Sequence, residues 1–246
     1  MSQGQPGPDL PRDTVGLFEG LCTTRAIRRY RPEPVPAPVL RDILFAATRA
    51  PSGSNRQPFR FVVLTDGPKA TTAKALIAAG ARRAWDVKRR TDGYDQGSGA
   101  DAASPKAAMA RTMEAYIDHL DEVPVLILPC LVRHRAPMPV DGASIYPACQ
   151  NLLLAARALG YGGVMTSWNL IVDNELHELL GIPADVSVAA AITLGRPQGH
   201  HGPVRRRPLS ELVYGETWGS AAAFAVDPPG TRHTAAGPPR AVGGSQ

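Results

Sequence analysis

The sequence predicts an α+β fold in which helices cover a sheet of short strands. Helical patterns and apolar strand patterns intermix along the 246 residues, and the strands are short. This arrangement favours an α+β layer fold over a doubly wound one. The helical pattern at residues 143–159 is apolar nearly all round, so it must be covered on both sides, by the core or by a second chain.

The front of the chain predicts two helices and one strand. Asp13 or Thr14 suits the N-cap of a short first helix. A proline-rich stretch then forces an extended connector. Pro38 suits the first position of a second helix, which we expect to run to about Arg49 on an apolar stripe. The first strand follows at residues 60–65.

The middle of the chain predicts two more helices and a buried strand. Residues 68–90 fit an amphipathic helix, and the Gly- and Asp-rich residues 91–104 fit a mobile loop or insertion. The Ser-Pro pair at 104–105 supplies an N-cap and a first-turn proline for a helix to about Leu120. Residues 124–132 are apolar enough for a fully buried strand.

The back half predicts two helices and two strands. The long apolar helix ends at Gly160, where glycine accepts the left-handed conformation that closes many helices. Residues 162–167 fit a short strand, a further helix ends at Gly181, and residues 187–195 fit a last strand. We expect residues 1–12 to be a disordered lead-in, 13–219 one domain, and 220–246 a disordered tail of Ala, Gly and Pro without period.

Bulk properties exclude several classes of protein. No apolar run reaches the roughly 20 residues that cross a bilayer, and the start has no signal-peptide core, so we expect a cytoplasmic protein without a membrane partner. Three cysteines without a C-x-x-C pair indicate neither a disulfide framework nor a zinc site, and we expect no metal. The net charge of +5 permits nucleic-acid binding, but no nucleic-acid motif occurs, and we expect none.

Several catalytic motifs are absent as well. The glycines at 160–163 follow a helix rather than a strand and lack the last glycine of a dinucleotide fingerprint. The chain has no P-loop, no H-E-x-x-H and no G-x-S-x-G nucleophile elbow. No side chain is singled out as a general acid or base, so we predict no catalytic residue. Such a site fits chemistry that a bound cofactor carries.

Residues 50–59 are the stretch around which the chain is organised. Pro51 and Pro58 exclude a helix or central strand there, and Gly53 permits a tight turn or a close approach of a ligand to the backbone. The side chains between the prolines crowd hydrogen-bonding groups suited to the edge of a polar heterocycle: Ser52, Ser54, Asn55 and Gln57. The alternative is an ordinary surface turn, which uses the same residue types.

Upstream, residues 23–31 read Thr-Thr-Arg-Ala-Ile-Arg-Arg-Tyr-Arg. Arg25 and Arg28 suit a compact anion such as a phosphate, and the alternative is a solvated basic face before a proline-rich connector. This segment and the loop, separated by one amphipathic helix, resemble the N-terminal signature of the nitroreductase family of FMN-dependent oxidoreductases. The resemblance runs from about Cys22 to about Trp218. It implies a mixed sheet wrapped by helices in an intertwined homodimer.

The resemblance also implies a cofactor site for FMN. It places the segment on the FMN phosphate and ribityl chain, through Thr24, Arg25, Ala26 and Arg28. Many members carry Arg-x-Ser-x-Arg or Lys where this chain has Thr24-x-Ala26-x-Arg28, so two usual ligands are replaced. Arg28 keeps its role by position, and Arg25 compensates from the next position.

The rest of the implied site comes from three other segments. The loop lies near the flavin ring and is donated across the dimer, through Pro51, Ser52, Gly53, Ser54, Asn55 and Gln57. A later strand passes its backbone under the ring at Met165, Thr166 and Ser167. Arg205 and Arg207 return to the phosphate. In this later half, the alternative is that glycine pairs in strands and arginine runs are common features.

The function implied is an FMN-dependent NAD(P)H oxidoreductase. NAD(P)H, the co-substrate, reduces FMN, and a nitroaromatic, quinone or similar conjugated small molecule takes the electrons in a ping-pong sequence. The alternatives are a specialised relative (a benzimidazole synthase, dehalogenase or natural-product dehydrogenase) or a protein that sequesters flavin without turnover. Substrate choice is expected at residues 91–104 and the helices that flank them, or at residues 133–141. Tyr94 or Trp168 could stack on a substrate, or simply pack.

Overall fold

The computed structural model describes residues 11–234, which divide into two compact units between His201 and Gly202. The predicted domain of residues 13–219 ends later than this division. Most of the predicted lead-in and residues 235–246 of the predicted tail lie outside the described residues. The predicted disorder of residues 220–246 therefore stays a prediction.

The first unit contains six α-helices and five strands among its described residues. The helices are α1 (Leu17–Thr23), α2 (Ala37–Ala47), α3 (Pro68–Thr91), α4 (Pro105–Asp118), α5 (Tyr146–Ala158) and α6 (Asp173–Leu180). The strands are β1 (Phe59–Leu64), β2 (Val125–Val132), β3 (Gly162–Thr166), β4 (Val186–Val188) and β5 (Ala191–Gly195). No helix within residues 11–234 is long and apolar enough to span a bilayer.

The sheet is antiparallel at each strand pair of this unit. Its order is β1-β2-β5-β3, with β4 paired to the end of β2. Strand β1 therefore lies at one edge and β3 at the other. Phe59 is opposite Leu131, while Thr166 is opposite Ala191, so the start of β1 and the end of β3 face the same end of the sheet.

Helices cover both faces of the sheet, because β2 alternates its apolar side chains. Leu126 and Leu128 point into a core with α3, α4 and α6, whereas Val125 and Ile127 point into a core with α2 and α5. The predicted α+β layer fold is confirmed. The sequence predicts that the long apolar helix is covered on both sides. In this chain, α2 covers one side of that helix, α5, and the sheet covers the other.

The last predicted strand is wrong in one respect. Residues 187–195 do not form one strand, because β4 and β5 pair with different parts of β2 and the chain breaks at Ala189 and Ala190. The Ala189 N–H donates to the Pro129 carbonyl oxygen at 2.8 Å at this break. Proline has no N–H, so β2 cannot donate a hydrogen bond toward β4 and β5 at this position, although its ladder with β1 continues through Pro129.

Residues 91–104 are tied to the neighbouring helices. Arg89 makes a forked hydrogen bond with Asp95 and also pairs with Glu114. Lys106 Nζ donates to the carbonyl oxygen of Asp92 at 2.8 Å. Arg111 donates to the carbonyl oxygen of Ala102 at 2.9 Å. The segment is thus a compact connection between α3 and α4, and the mobility expected from its composition stays a prediction.

The second unit has little regular structure in its described residues, 202–234. A 3-10 turn spans Leu209–Glu211, and isolated bridges join Arg206 to His233 and Tyr214 to Ala221. The carboxylate of Asp227 accepts a hydrogen bond from the Leu209 N–H at 3.0 Å. Local hydrogen bonds of this kind hold the second unit together.

Candidate functional site

The loop before β1 has a strained backbone. Gly53–Asn55 form a 3-10 turn, and Ser54, Asn55 and Gln57 have φ angles of 52°, 51° and 50°. Non-glycine residues rarely adopt this left-handed conformation, and such strain concentrates at functional sites. The three residues are exposed, so the core does not account for their conformation.

Local hydrogen bonds fix the shape of this loop. The Gln57 N–H donates to Ser52 Oγ at 2.9 Å, and the Gly53 N–H donates to Ser144 Oγ at 3.2 Å. The Gln57 side-chain amide donates to Asn55 Oδ1 at 3.1 Å. Asn55 Nδ2 makes no hydrogen bond to any residue within 11–234, so it remains available to a ligand. Pro51, like Asn55, is exposed.

The segment after α1 is anchored to the edge strand β3. The Ile27 N–H donates to the Gly163 carbonyl oxygen at 3.0 Å. A Cβ at Gly162 would lie 2.6 Å from Ile27 Cγ1, and one at Gly163 would lie 2.4 Å from the Thr193 carbonyl oxygen. The glycine pair is therefore explained by close packing of the segment and of β5 against β3.

This anchoring places Arg25, Ala26 and Arg28 on one cleft of about 490 Å³. The facing wall is α4, through Ala108, Met109 and Thr112, and the floor includes Gly199 and His200. Pockets of this size commonly hold small-molecule ligands. Helix α4 directly follows residues 91–104, so it is one of the flanking helices at which substrate choice is expected, and the four-residue spacing of Ala108 and Thr112 puts them on one helical face.

Polar atoms of residues 24–28 are incompletely satisfied, although Thr24 itself does not line the cleft. Arg25 Nη2 donates to the His200 carbonyl oxygen at 2.6 Å. Arg28 Nε and Thr24 Oγ1 are buried and have no hydrogen-bond partner among residues 11–234. Buried polar atoms of folded proteins are nearly always paired, and of these two atoms only that of Arg28 belongs to a residue that lines the cleft.

A buried hydroxyl network borders the segment. Thr193 Oγ1 shares hydrogen bonds with Tyr116 Oη at 2.6 Å and Tyr30 Oη at 2.8 Å, and Tyr30 also donates to the Ile27 carbonyl oxygen at 2.6 Å. Burial raises the pKa of Tyr116 to about 12, while the hydrogen bond with Thr193 and the guanidinium of Arg28 oppose that rise. Both phenols thus stay neutral, and Tyr30 holds the segment in place through its hydrogen bond to the Ile27 carbonyl oxygen.

The residues at the end of β3 lie along the same edge strand. Met165 is 41% exposed, Thr166 Oγ1 donates to the Ala191 carbonyl oxygen at 3.2 Å, and Ser167 is exposed. Gly163, which binds the segment, is two residues before Met165, about 7 Å along a strand. Residues 23–31 and the end of β3 therefore lie along the same edge of the sheet.

The loop does not join them within one chain. Two strands separate β1 from β3, which places the two edges about 14 Å apart at ordinary strand spacing. No residue of the loop lines the cleft. The structure thus brings two of the predicted segments together and leaves the loop at the opposite edge.

The late arginines lie in the second unit. Arg207 forms an ion pair with Glu211, its Nε 2.6 Å from the carboxylate. Arg205 is exposed, and its carbonyl oxygen accepts a hydrogen bond from Arg206 at 2.9 Å. Their assignment to a phosphate stays a prediction.

The two aromatic residues considered for substrate stacking pack within the protein. Tyr94 lies against Trp85 with ring centroids 5.0 Å apart, and Trp168 lies against Tyr116 at 5.6 Å. Within residues 11–234, no group of three or more His, Cys, Asp or Glu side chains is arranged to hold a metal ion.

Comparison with known proteins identifies relatives over most of the chain. The nitroreductase family model matches residues 22–196. An NADH dehydrogenase of Thermus thermophilus is 32% identical over 208 residues, which cover 77% of this chain and 90% of that protein. A 4-nitrobenzoate reductase of a Nocardioides species is 25% identical, over 79% of this chain and 86% of its own. Among solved structures, a nitroreductase from Desulfovibrio desulfuricans in complex with FMN matches with a TM-score of 0.61 and 31% identity, over 83% of this chain and 99% of its own.

Proposed function

Because the chain belongs to the nitroreductase family, we propose that it is an FMN-dependent oxidoreductase that uses NAD(P)H to reduce a nitroaromatic, quinone or similar conjugated acceptor. The relative from Desulfovibrio desulfuricans binds FMN, and the Nocardioides relative is named for a nitroaromatic substrate. Bound FMN would accept a hydride from the nicotinamide and supply electrons to the acceptor, in a ping-pong sequence. The protein binds, orients and shields the reactants.

The observation that carries this proposal is the cleft beside Arg25 and Arg28. Its volume of about 490 Å³ lies within the range of cofactor sites. A flavin phosphate carries nearly two negative charges, and the two guanidinium groups that line the cleft are suitable donors for it. Ala26 offers no side-chain donor. The residues present therefore fit the phosphate end of FMN, with Arg25 in place of the guanidinium that Thr24 lacks.

The ring end of FMN is proposed to contact two chain segments, largely through their backbone groups. Residues 165–167 continue the edge strand to which the phosphate segment is attached, so their backbone lies along the same edge. The loop at residues 51–57 comes from a second chain, because its own β1 lies at the far edge of the sheet. A homodimer with two shared sites follows from this proposal.

The proposed ring contact of Asn55 has a measurable consequence. Asn55→Ala is expected to slow flavin reduction by NAD(P)H by tenfold or more, since a lost hydrogen bond to a charged or strongly polarised group costs roughly 1.5–3 kcal/mol. The melting temperature should change little, because Asn55 is exposed. Stopped-flow absorbance measures the rate. Asn174→Ala, an exposed change on α6, is the control, and an unaltered rate for Asn55→Ala would make the loop an ordinary turn.

The proposed activity is tested by following the two half-reactions separately. The purified protein, loaded with FMN, is mixed anaerobically with NADPH or NADH, and the flavin absorbance is expected to bleach. Excess nicotinamide is then removed, and 4-nitrobenzoate or a quinone is added, which should restore the absorbance. A flavin that neither nicotinamide bleaches would contradict the proposal. If the nicotinamide bleaches the flavin but no conjugated acceptor reoxidises it, only the alternative function, flavin sequestration without turnover, would remain.

A further inference from the structure

A second basic cavity lies next to the proposed flavin cleft. It measures about 460 Å³ and lies between the segment Arg28–Pro32 and the end of α4, with Tyr116 and His119 on the helical side and Gln198 at its border. We call it the arginine cavity, because Arg28, Arg29 and Arg31 all line it. It shares Arg28 and Arg29 with the flavin cleft, so the two cavities are neighbours.

The three arginines of this cavity lack acidic partners. Arg28, Arg29 and Arg31 form no ion pair and no side-chain hydrogen bond with any residue in the described part of the chain. Elsewhere, Arg89 binds two carboxylates. Like charges held close together repel one another, and a bound anion removes this cost.

The other titratable groups of the cavity do not cancel this charge. Glu122 is the carboxylate that lines it, and its oxygen lies 3.1 Å from His119 Nδ1. The hydrogen bond with Glu122 raises the pKa of His119, which favours the protonated ring and a neutral pair. The phenols Tyr30 and Tyr116 are neutral, because burial raises the pKa of each. The arginines therefore make the net charge of the cavity positive.

A phosphate bound in the flavin cleft leaves Arg31 unused, because Arg31 does not line that cleft. Arg25 is held on the cleft side by the His200 carbonyl, whereas Arg31 lines only the arginine cavity of the two. Two cavities with guanidinium donors indicate two anionic groups. In the proposed reaction FMN brings one, and the other reactant that carries a phosphate monoester is NADPH, through its 2′-phosphate. NADH lacks this group, and a planar guanidinium matches a phosphate well.

We propose that the arginine cavity binds the 2′-phosphate of NADPH and makes this protein select NADPH over NADH. This inference rests on the proposed function, since it needs a nicotinamide co-substrate. Arg31 and Arg29 are the specificity-determining residues, and Arg28 lies between the two phosphate sites. The acceptor does not enter this selection, because the 2′-phosphate is remote from the reacting end of the nicotinamide.

The test compares NADP⁺ with NAD⁺, which differ only by the 2′-phosphate and do not reduce the flavin. Isothermal titration calorimetry on the purified protein loaded with FMN should show NADP⁺ binding at least tenfold tighter than NAD⁺. Arg31→Gln should weaken NADP⁺ about tenfold or more, the loss typical of one charge-assisted hydrogen bond. The affinity for NAD⁺ should change less than twofold, and Arg31→Lys should restore part of the NADP⁺ affinity.

Two controls separate this inference from its alternatives. Arg83→Gln, an exposed change on α3, removes the same charge away from the cavity and should leave both affinities unaltered. The FMN and riboflavin dissociation constants of Arg31→Gln report whether the cavity instead serves the flavin phosphate. Equal affinity of the wild type for NADP⁺ and NAD⁺, or a selective loss of FMN in Arg31→Gln, would overturn the proposal. Failure of the wild type to bind FMN, measured in the same sample, concerns the proposed function alone.

Discussion

Charge reversal at Arg28 is expected to release FMN from the protein. Arg28 lines the cleft, its Nε is buried without a partner, and no carboxylate in the described residues neutralises it. Loss of a charge-assisted pair costs roughly 1.5–3 kcal/mol, and a glutamate adds repulsion. The FMN dissociation constant of Arg28→Glu should therefore rise at least a hundredfold, as measured by quenching of flavin fluorescence.

Riboflavin provides the internal control for this variant. It lacks the phosphate, so its affinity should differ little between the wild type and Arg28→Glu, and retained riboflavin binding shows that the variant is folded. Arg83→Glu should leave both affinities unaltered. Equal losses of FMN and riboflavin in Arg28→Glu would mean that Arg28 supports the fold rather than the phosphate. Arg207→Glu should match Arg28→Glu if the late arginine reaches the same phosphate, and a silent Arg207→Glu would remove the second unit from the site.

The second large effect expected is obligate dimerisation. Helix α1 leaves three apolar side chains uncovered, with Leu17, Phe18 and Leu21 exposed at 70%, 81% and 45%. Large exposed apolar patches mark interaction surfaces, and no residue of the strained loop at residues 51–57 lines the proposed flavin cleft of its own chain. We expect an interface of roughly 2,000 Å² or more, the class of obligate homodimers.

Light scattering after gel filtration measures this state. A dimer should persist at micromolar concentration, and Phe18→Glu should weaken it, because a charge would be buried among apolar groups. Thr72→Glu, an exposed change on α3, is the control. A monodisperse monomer of the wild type would contradict both the dimer and the shared site.

Much of the fold could be predicted from local chemistry. Ser104 caps α4 as expected, since its Oγ accepts from the Ala107 N–H at 3.0 Å. Gly160 has a φ of 80° directly after α5, which satisfies the expected left-handed closure. The α+β class followed from the intermixed patterns. These features depend on a few neighbouring residues, which is why a single sequence reveals them.

Features that depend on distant partners could not be predicted in this way. The break between β4 and β5 arises at Pro129 of another strand, and no residue near Ala189 indicates it. The unpaired state of Arg31, and the cavity beside it, depend on how α4 packs against the segment. From the sequence alone, the glycines at 162–163 fit a common strand feature, whereas their packing against Ile27 and Thr193 explains them.

A mixed dimer of two defective chains tests the shared FMN site most directly. Arg28→Glu and Asn55→Ala chains with different affinity tags are combined, and the heterodimer is isolated by both tags. If Arg28 of one chain and Asn55 of the other form one site, the heterodimer keeps one intact site. It should then bind about one FMN per dimer and reduce it with NADPH at the wild-type rate. One bound FMN that is reduced only at the slow rate of Asn55→Ala would place the loop and the cleft of one chain together, and would contradict the shared site.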